Sequence, residues 1–589
     1  MPSLAPVAAS NHVAGMTTTI HAVTPGRFGF LVPPLLLVLA GCAPAPAASD
    51  ADLIVTASHI YTANSSRPTI EAFVVRGGHF VYAGSRDSAL ALRGTGTRVL
   101  ELGDATVLPG LADAHAHLAD LGASLQSVDL RGVDSYAEVA RRVAERARNV
   151  PKGRWITGYG WDQNRWPGKR FPTSAALDSA VPDHPVLLDR IDGHAVLANR
   201  AAMDAAGITA NVTDPDGGRI ERLPGGAPSG VFVDNAMALV RRAVPAPTDE
   251  ELRTALIAAA QDVNRWGLVS IQDMGEPRRT IEQIEALARD GKLPIRAYVM
   301  VADDSADLAH YFERGPQSAL YEGHLWIRGI KLYADGALGS RGAALLAPYA
   351  DDPGNRGLLV SSEQHLEQRT EAALRHGFQV STHAIGDRGN RNALDAYEAA
   401  LKAVPTADAR LRVEHAQVLA PADIPRFAEL GVIPSMQASH QTSDMRWAED
   451  RLGPERIKGA YAWRSLLETG VIVPNGTDFP VEQVNPFITF HSAITRQDST
   501  GHPPGGWYPD QRMTRDEALK SMTIWPAHAA FQDSVMGSIA AGKFADFVVL
   551  DQDILTAPAD SILRTHVIAT YLGGTPVYQR PAATPDSTP

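Results

Sequence analysis

Two apolar rhythms alternate along this chain. Between Asp52 and Leu102, short runs such as Leu53 to Val55, Ala72 to Val75 and Phe80 to Tyr82 are separated by turns, Gly77-Gly78 among them. A period of two with turn residues between predicts strands and hairpins of a small sheet. Lys543 to Leu550 and Val567 to Tyr578, with Gly573-Gly574 as a tight turn, read the same way. The two ends, residues 52–106 and 533–580, are therefore expected to form one small β-sandwich domain. Between them, strand-like runs alternate with helical stretches. Val107 to Ala112, Leu268 to Met274, Ile295 to Val301, Ile327 to Leu332, Phe378 to Thr382, Leu411 to Val413, Val432 to Met436 and Val471 to Val473 make eight strand candidates. Amphipathic segments such as Glu363 to Arg375 and Pro421 to Leu430 lie between later members. The fold class this predicts is α/β, a (β/α)8 TIM barrel over residues 107–532. The stretch from about 151 to 263 does not keep the rhythm and is expected to be a large insertion after the first unit.

The N-terminus reads as an address. Arg27 precedes the apolar stretch Phe28 to Leu39 and then Leu39-Ala40-Gly41-Cys42, a pattern that resembles a bacterial lipoprotein signal with its lipobox. Residues 1–42 are thus expected to be a signal peptide ending at a lipidated Cys42, and residues 43–51 a flexible tether. Translation from Met16 would give the more conventional signal. An uncleaved anchor or a buried helix is the plainer reading of the same stretch. Cys42 is the only cysteine in the chain, which excludes an intramolecular disulfide and thiolate metal ligands. Ala43 after it lacks the aspartate that holds such proteins at an inner membrane. The expected location is the bacterial cell envelope, lipid-anchored at the outer membrane and facing the periplasm.

Composition narrows the partners. At 44% hydrophobic and 20% charged residues the chain can bury a large core, and its net charge of -12 argues against nucleic acid or an anionic membrane surface as a partner. A small-molecule substrate, with the membrane met only through the lipid anchor, is the expectation; oligomeric state is open and a homodimer is compatible with the sequence.

The chemistry is carried by Val107-Leu-Pro-Gly-Leu-Ala-Asp-Ala-His-Ala-His117. Residues two apart on a strand point the same way, so His115 and His117 can reach one ion from one strand end. Four later runs each bring another ligand-type residue to a strand or its end: Lys331, His383, His415 and Asp478. In a barrel of this kind the strand ends converge on one face. Nitrogen and oxygen ligands without sulfur suit zinc or another divalent transition ion.

The order HxH, Lys, His, His, Asp on strands one, four, five, six and eight resembles the amidohydrolase superfamily, in the branch that includes N-substituted formamide deformylase. Supporting segments are Gly160-Trp-Asp-Gln-Asn-Arg-Trp166, Lys331-Leu-Tyr-Ala-Asp-Gly-Ala-Leu-Gly-Ser-Arg341, His383-Ala-Ile-Gly-Asp387 and Gly537-Ser-Ile-Ala-Ala-Gly-Lys-Phe-Ala-Asp546. The resemblance implies one or two divalent metal ions, zinc foremost. His115, His117 and Asp478 would hold one, His383 and His415 the second, and Lys331 would bridge them as a carbamate. Lys331 also has a plainer reading, a barrel lysine paired with a carboxylate such as Asp335, in which case a single metal is expected. The mechanism implied is attack by a metal-generated hydroxide on an sp2 carbon, with Asp478 as acid and base, cleaving an amide or similar carbon–nitrogen bond.

Substrate determinants are less defined. His194 is a candidate donor to the substrate carbonyl or tail, and equally a structural histidine. Trp161, Asp162 and Trp166 are candidates for the pocket wall, and Trp161 and Trp166 equally for plain packing. Arg341 is a candidate for gripping a substrate carboxylate, with a surface salt bridge as its alternative. His440 and Phe479 are weaker candidates. Competing functions are the same barrel acting as esterase, lactonase or deaminase, or a non-catalytic metal- or solute-binding lipoprotein.

Overall fold

The computed structural model describes residues 50–581; the expected signal peptide, Cys42 and nearly all of the tether lie outside them. Seven parallel strands form the central sheet: Leu111–Ala116, Leu268–Glu276, Arg296–Ala302, Leu325–Tyr333, Gln379–Ala384, Arg412–His415 and Ile433–Ser435, neighbours in that order. The segment after them closes the ring through single parallel bridges, Met436 to Asn475 and Ala116 to Phe479. The expected strand Val471 to Val473 is irregular. Pro474 next to it carries no N–H to give a ladder. Gly476 then presses against the first strand, where a Cβ would lie 2.5 Å from the His115 backbone nitrogen. The result is a TIM barrel whose eighth strand is a loop-like closing segment.

The expected first strand, Val107 to Ala112, divides in two. Thr106–Pro109 belongs to the sheet formed by the chain ends and Leu111–Ala116 to the barrel. The break is at Gly110, where a Cβ would fall 2.3 Å from Val269 Cγ2. Every residue from Thr106 to Ala116 is buried, so burial is continuous through the boundary and only the Pro109-Gly110 dipeptide marks it.

The sheet of the chain ends runs Thr575–Gln579, Val567–Leu572, Phe547–Leu550, Thr106–Pro109, Leu53–Tyr61, Thr69–Arg76, His79–Gly84, with Arg98–Glu101 beside Leu53–Tyr61. Phe73 and Phe547 sit three strand positions apart, about 14 Å if the sheet were flat. Their ring centroids are 5.0 Å apart, so the sheet folds over on itself around an apolar core, sandwich fashion.

The insertion has its own six-stranded sheet, and it begins earlier than the expected boundary near residue 151. Its strands run from Val128–Asp129 to Pro228–Asp234, with the helix Tyr136–Ala147 packed on one face. The helix Asp249–Arg265, started by a capping box of Thr248 and Glu251, brings the chain back and buries Leu256, Ala259, Ala260 and Val263 in the barrel core.

Candidate metal centre

The first strand and the closing segment are bolted together at the site. Asp478 N donates to His115 O at 2.8 Å, and His117 N donates to Phe479 O at 3.0 Å. Asp113, two residues before His115 on the same face, reinforces this. Its carboxylate accepts from the His115 amide at 3.1 Å, the Thr477 amide at 3.0 Å and the Thr477 hydroxyl at 2.7 Å. Burial pushes the Asp113 carboxyl up to about 7, against the pull of those hydrogen bonds. Asp478 and His415 both take left-handed backbone conformations, φ 59° and 72°, which costs free energy and is held by this surrounding structure.

The six ligand-type side chains meet in one cluster. Asp478 Oδ1 lies 3.2 Å from His117 Nε2 and 3.4 Å from His115 Nε2. Lys331 Nζ is 3.3 Å from the same His115 nitrogen. The rings of His115 and His415 are 4.6 Å apart, as are those of His415 and His383. One ligand atom from each of His115, His415 and Asp478 falls within 4.8 Å of the others.

Charge and protonation fit a cation. Burial drives the imidazoles of His115, His383 and His415 well below their ordinary pKa, and neighbouring cations and imidazoles add to it. These rings are therefore neutral, the form that binds metal. Burial alone would raise Asp478, but the imidazoles of His115 and His117 together hold it well below the carboxylate range. His117 goes the other way: burial lowers it, and its contact with Asp478 more than compensates. Asp478 Oδ1 and His383 Nε2 are buried with no hydrogen-bond partner among the described residues, which leaves both free for an ion. Burial also pushes the Lys331 ammonium down to about 8. Lys331 forms no ion pair with Asp335, whose carboxylate instead accepts the amides of Ala344, Ile385 and Gly386.

Behind the histidines stands a shell that the sequence reading missed. Glu414 Oε2 accepts from His115 Nδ1 at 2.6 Å, which fixes the proton there and leaves Nε2 as the ligand atom. Arg412 pairs with Glu414 at 2.7 Å and donates to Ala114 O at 2.7 Å; both side chains are fully buried. Gln437 Oε1 lies 2.8 Å from His415 Nδ1. The only signal in the sequence was the charged pair in Arg412-Val-Glu414, placed immediately before His415 in an otherwise apolar run.

The insertion reaches into the same site. Its hairpin between Val186–Arg190 and Ala195–Ala198 carries His194 at the tip, 4.9 Å from the His383 ring. His194 Nδ1 donates to Asp234 Oδ1 at 2.8 Å. Burial lowers the His194 pKa, but Asp234, Asp192 and Asp335 raise it further than burial lowers it. Asp234 fits because the loop after the fourth strand is glycine-rich. A Cβ on Gly336 would lie 2.7 Å from Asp234 Oδ1, and one on Gly342 2.5 Å from Oδ2.

Other candidates are placed elsewhere. Trp161 and Trp166 are core residues of the insertion; their indoles donate to Leu188 O and Val133 O, and the rings stack 6.0 Å apart. Both side chains are buried in that core. Asp162 caps the turn at Gln163–Arg165 and accepts from Arg190, a residue of the His194 hairpin, at 2.7 Å. Arg341 is bound to Asp351 at 2.9 Å and does not touch the histidine cluster. Phe479 is buried in the barrel core, whereas His440 Nε2 comes within 3.7 Å of Asp478 Oδ2.

Comparison with known proteins agrees with this architecture. Residues 98–578 match the model of the amidohydrolase family. The chain is 36% identical to Protein LONG AFTER FAR-RED 3 of Arabidopsis thaliana, over 90% of this chain and 92% of that protein. It is 32% identical to YtcJ of Bacillus subtilis, named as an amidohydrolase, over 88% and 98%. It is 28% identical to the N-substituted formamide deformylase of Arthrobacter pascens, over 90% and 98%. A solved metal-dependent hydrolase from Pyrococcus horikoshii superposes with a TM-score of 0.70 at 28% identity, covering 86% of this chain and 99% of that one. With a barrel, a buried His-His-Asp cluster suited to a cation and these relatives, the chain belongs to the amidohydrolase family and is a metal-dependent hydrolase of carbon–nitrogen bonds.

Proposed function

We propose that the substrates are small molecules carrying a non-peptide amide, in particular N-formyl or N-acyl compounds, and that Asp478 is the acid and base of the reaction. The observation that carries this is the ionised Asp478, with one buried oxygen lacking any hydrogen-bond partner among the described residues, set among the imidazoles of His115 and His117 and within reach of His440. The likeness to N-substituted formamide deformylase supports the substrate class.

His115, His117 and Asp478 would hold one divalent ion, zinc foremost, and His383 and His415 a second. Lys331, as a carbamate, would give both ions anionic oxygens. Its buried amine suits that chemistry: the neutral amine adds to carbon dioxide, a proton leaves, and the charge of the group changes from positive to negative. A divalent ion in such a site lowers the pKa of water from 15.7 to about 7 and polarises the substrate oxygen. The protein's own part is proton handling and orientation. Asp478 takes the proton of the attacking water and returns it to the departing nitrogen, so that an amine leaves rather than an amide anion. His194, its tautomer fixed by Asp234, presents Nε2 toward the substrate as a hydrogen-bond partner for the carbonyl oxygen or the substrate tail. The enzyme is proposed to work in the cell envelope, anchored through lipid on Cys42 and facing the periplasm.

The test is metal analysis of the purified protein together with initial rates on N-formyl amines, N-acyl amino acids, cyclic amides, esters, lactones and aminopurines. Turnover of N-formyl or N-acyl compounds at least a hundredfold above the others supports the proposal. Preferential hydrolysis of esters or lactones, deamination, or metal binding without turnover refutes it.

A further inference from the structure

A cavity of about 590 Å³ opens where the insertion meets the barrel, and none of the six ligand-type residues lines it. That volume is in the range of small-molecule sites. Its walls bring together Lys169 and Arg170 from the insertion, Arg341 from the loop after the fourth strand, and Arg451 from the helix Ala448–Arg456. The acids facing them are Glu221, Asp351 and Asp450.

The charges do not cancel. Glu221 is occupied by Arg219, which lies outside the cavity, at 2.8 Å. Asp450 faces Lys169 at 3.7 Å. Asp351 is shared between Arg341 and Arg451, so two guanidinium groups have one carboxylate. Arg170 is exposed and pairs with no carboxylate among the described residues. Two positive charges are thus left over in one concavity.

Arg451 is the anchor. It is 3% exposed, its Nη2 donates to Asn164 Oδ1 at 3.1 Å, and its Nε is buried without a hydrogen-bond partner among the described residues. A buried guanidinium with a spare Nε–H, in the same wall as a second guanidinium and the unpaired Arg170, supplies charge-assisted donors of the kind that recognise carboxylate and phosphate. Gln163, also in the wall, accepts from Arg190 at 2.8 Å, and Arg190 is the residue that ties Asp162 and Asp192 to the hairpin of His194.

We propose that this cavity is a binding site for a small anion, a carboxylate or phosphate group, distinct from the metal centre. The binding measurement does not depend on the reaction proposed above. Inorganic phosphate is titrated into the metal-loaded protein, wild type and the variants Arg341→Gln, Arg170→Gln and Asp351→Asn, and followed by calorimetry. Arg341→Gln and Arg170→Gln should each weaken phosphate by about tenfold, the loss of one charge-assisted contact. Asp351→Asn removes a competing carboxylate and should tighten phosphate several-fold, a gain that neither misfolding nor phosphate at the metals would produce. Equal affinity across all four proteins overturns the proposal. A second arm separates the source of the anion, using an N-acyl amino acid and its methyl amide. A carboxylate belonging to the substrate predicts a raised KM for the acid alone in Arg341→Gln, with phosphate competing. A free anion predicts unchanged KM for both and no competition.

Discussion

Glu414 is the sharpest place to test the reading of the metal centre, because it touches no ion yet controls a proposed ligand. Replacement by Gln keeps the volume and removes the charge. In the native site the carboxylate accepts from His115 Nδ1 at 2.6 Å and pairs with Arg412 at 2.7 Å, with all three side chains at most 2% exposed. An amide cannot accept on both sides. If its oxygen faces His115, its NH2 faces the Arg412 guanidinium; if reversed, it forces the His115 proton onto Nε2, the atom aimed at Asp478 and Lys331. Loss of such an outer partner weakens metal binding by about 10–100-fold, or roughly 1.4–2.7 kcal/mol. Arg412 meanwhile keeps Ala114 O, Ser435 Oγ and Gln272 Oε1, so its guanidinium stays hydrogen-bonded but loses its counter-charge. Breaking a buried pair costs about 3–5 kcal/mol when nothing else compensates, and these contacts place Glu414→Gln at or below the lower end. Chelator competition gives the zinc affinity, and circular dichroism melts give the stability. Zinc binding within threefold of wild type, with an unchanged melt, would refute the role assigned to Glu414.

Other predictions follow from the same geometry. Metal-loaded Asp478→Asn should lose turnover by about 100- to 10,000-fold per bound metal, whereas His115→Ala should lose the metal itself; wild-type turnover in loaded Asp478→Asn is the contrary result. The Lys331 ammonium falls from 10.5 to about 8, so the neutral amine that meets carbon dioxide is about 300-fold more abundant at pH 7 than for an exposed lysine. Reactivation of metal-stripped protein by zinc at a fixed concentration of dissolved carbon dioxide should therefore rise about tenfold from pH 6 to 7 and level off above 8; a flat profile excludes the carbamate. Gly342→Ala places a Cβ 2.5 Å from Asp234 Oδ2, so Asp234 and His194 must shift. Its kcat should fall about tenfold to a hundredfold with metal content intact, as small misplacements do. Cys42→Ala should release the protein from the membrane fraction or leave it unprocessed; unchanged fractionation argues against lipidation.

The sequence by itself determined the barrel, because strand ends are periodic, apolar and local. Glu363 to Arg375 is a helix over the residues its amphipathic pattern predicts. The candidate ligands were legible for a related reason. His115 and His117 follow from the two-residue repeat of one strand, and His383 and His415 each sit near the end of their own apolar run. Boundaries were less visible. In the run from Thr106 to Ala116 only the Pro109-Gly110 dipeptide falls at the change of sheet; the apolar pattern does not show it, because both halves are fully buried and hydrophobicity reports burial without naming the partner. The eighth strand reads as regular until Pro474 and Gly476 are seen against the first.

What surrounds the ligands was decided by tertiary structure alone. Glu414 meets His115 across 299 positions, and Thr477 meets Asp113 across 364. Such contacts leave no periodic trace, since each partner satisfies its own local pattern. The same holds for His194, which becomes a site residue only because Asp234 of the insertion nests among glycines of a barrel loop. Trp161 and Trp166 show the converse. Their spacing left a pocket wall and plain packing equally open, and the fold of the insertion buries both indoles in its core, where each N–H is satisfied by a backbone carbonyl.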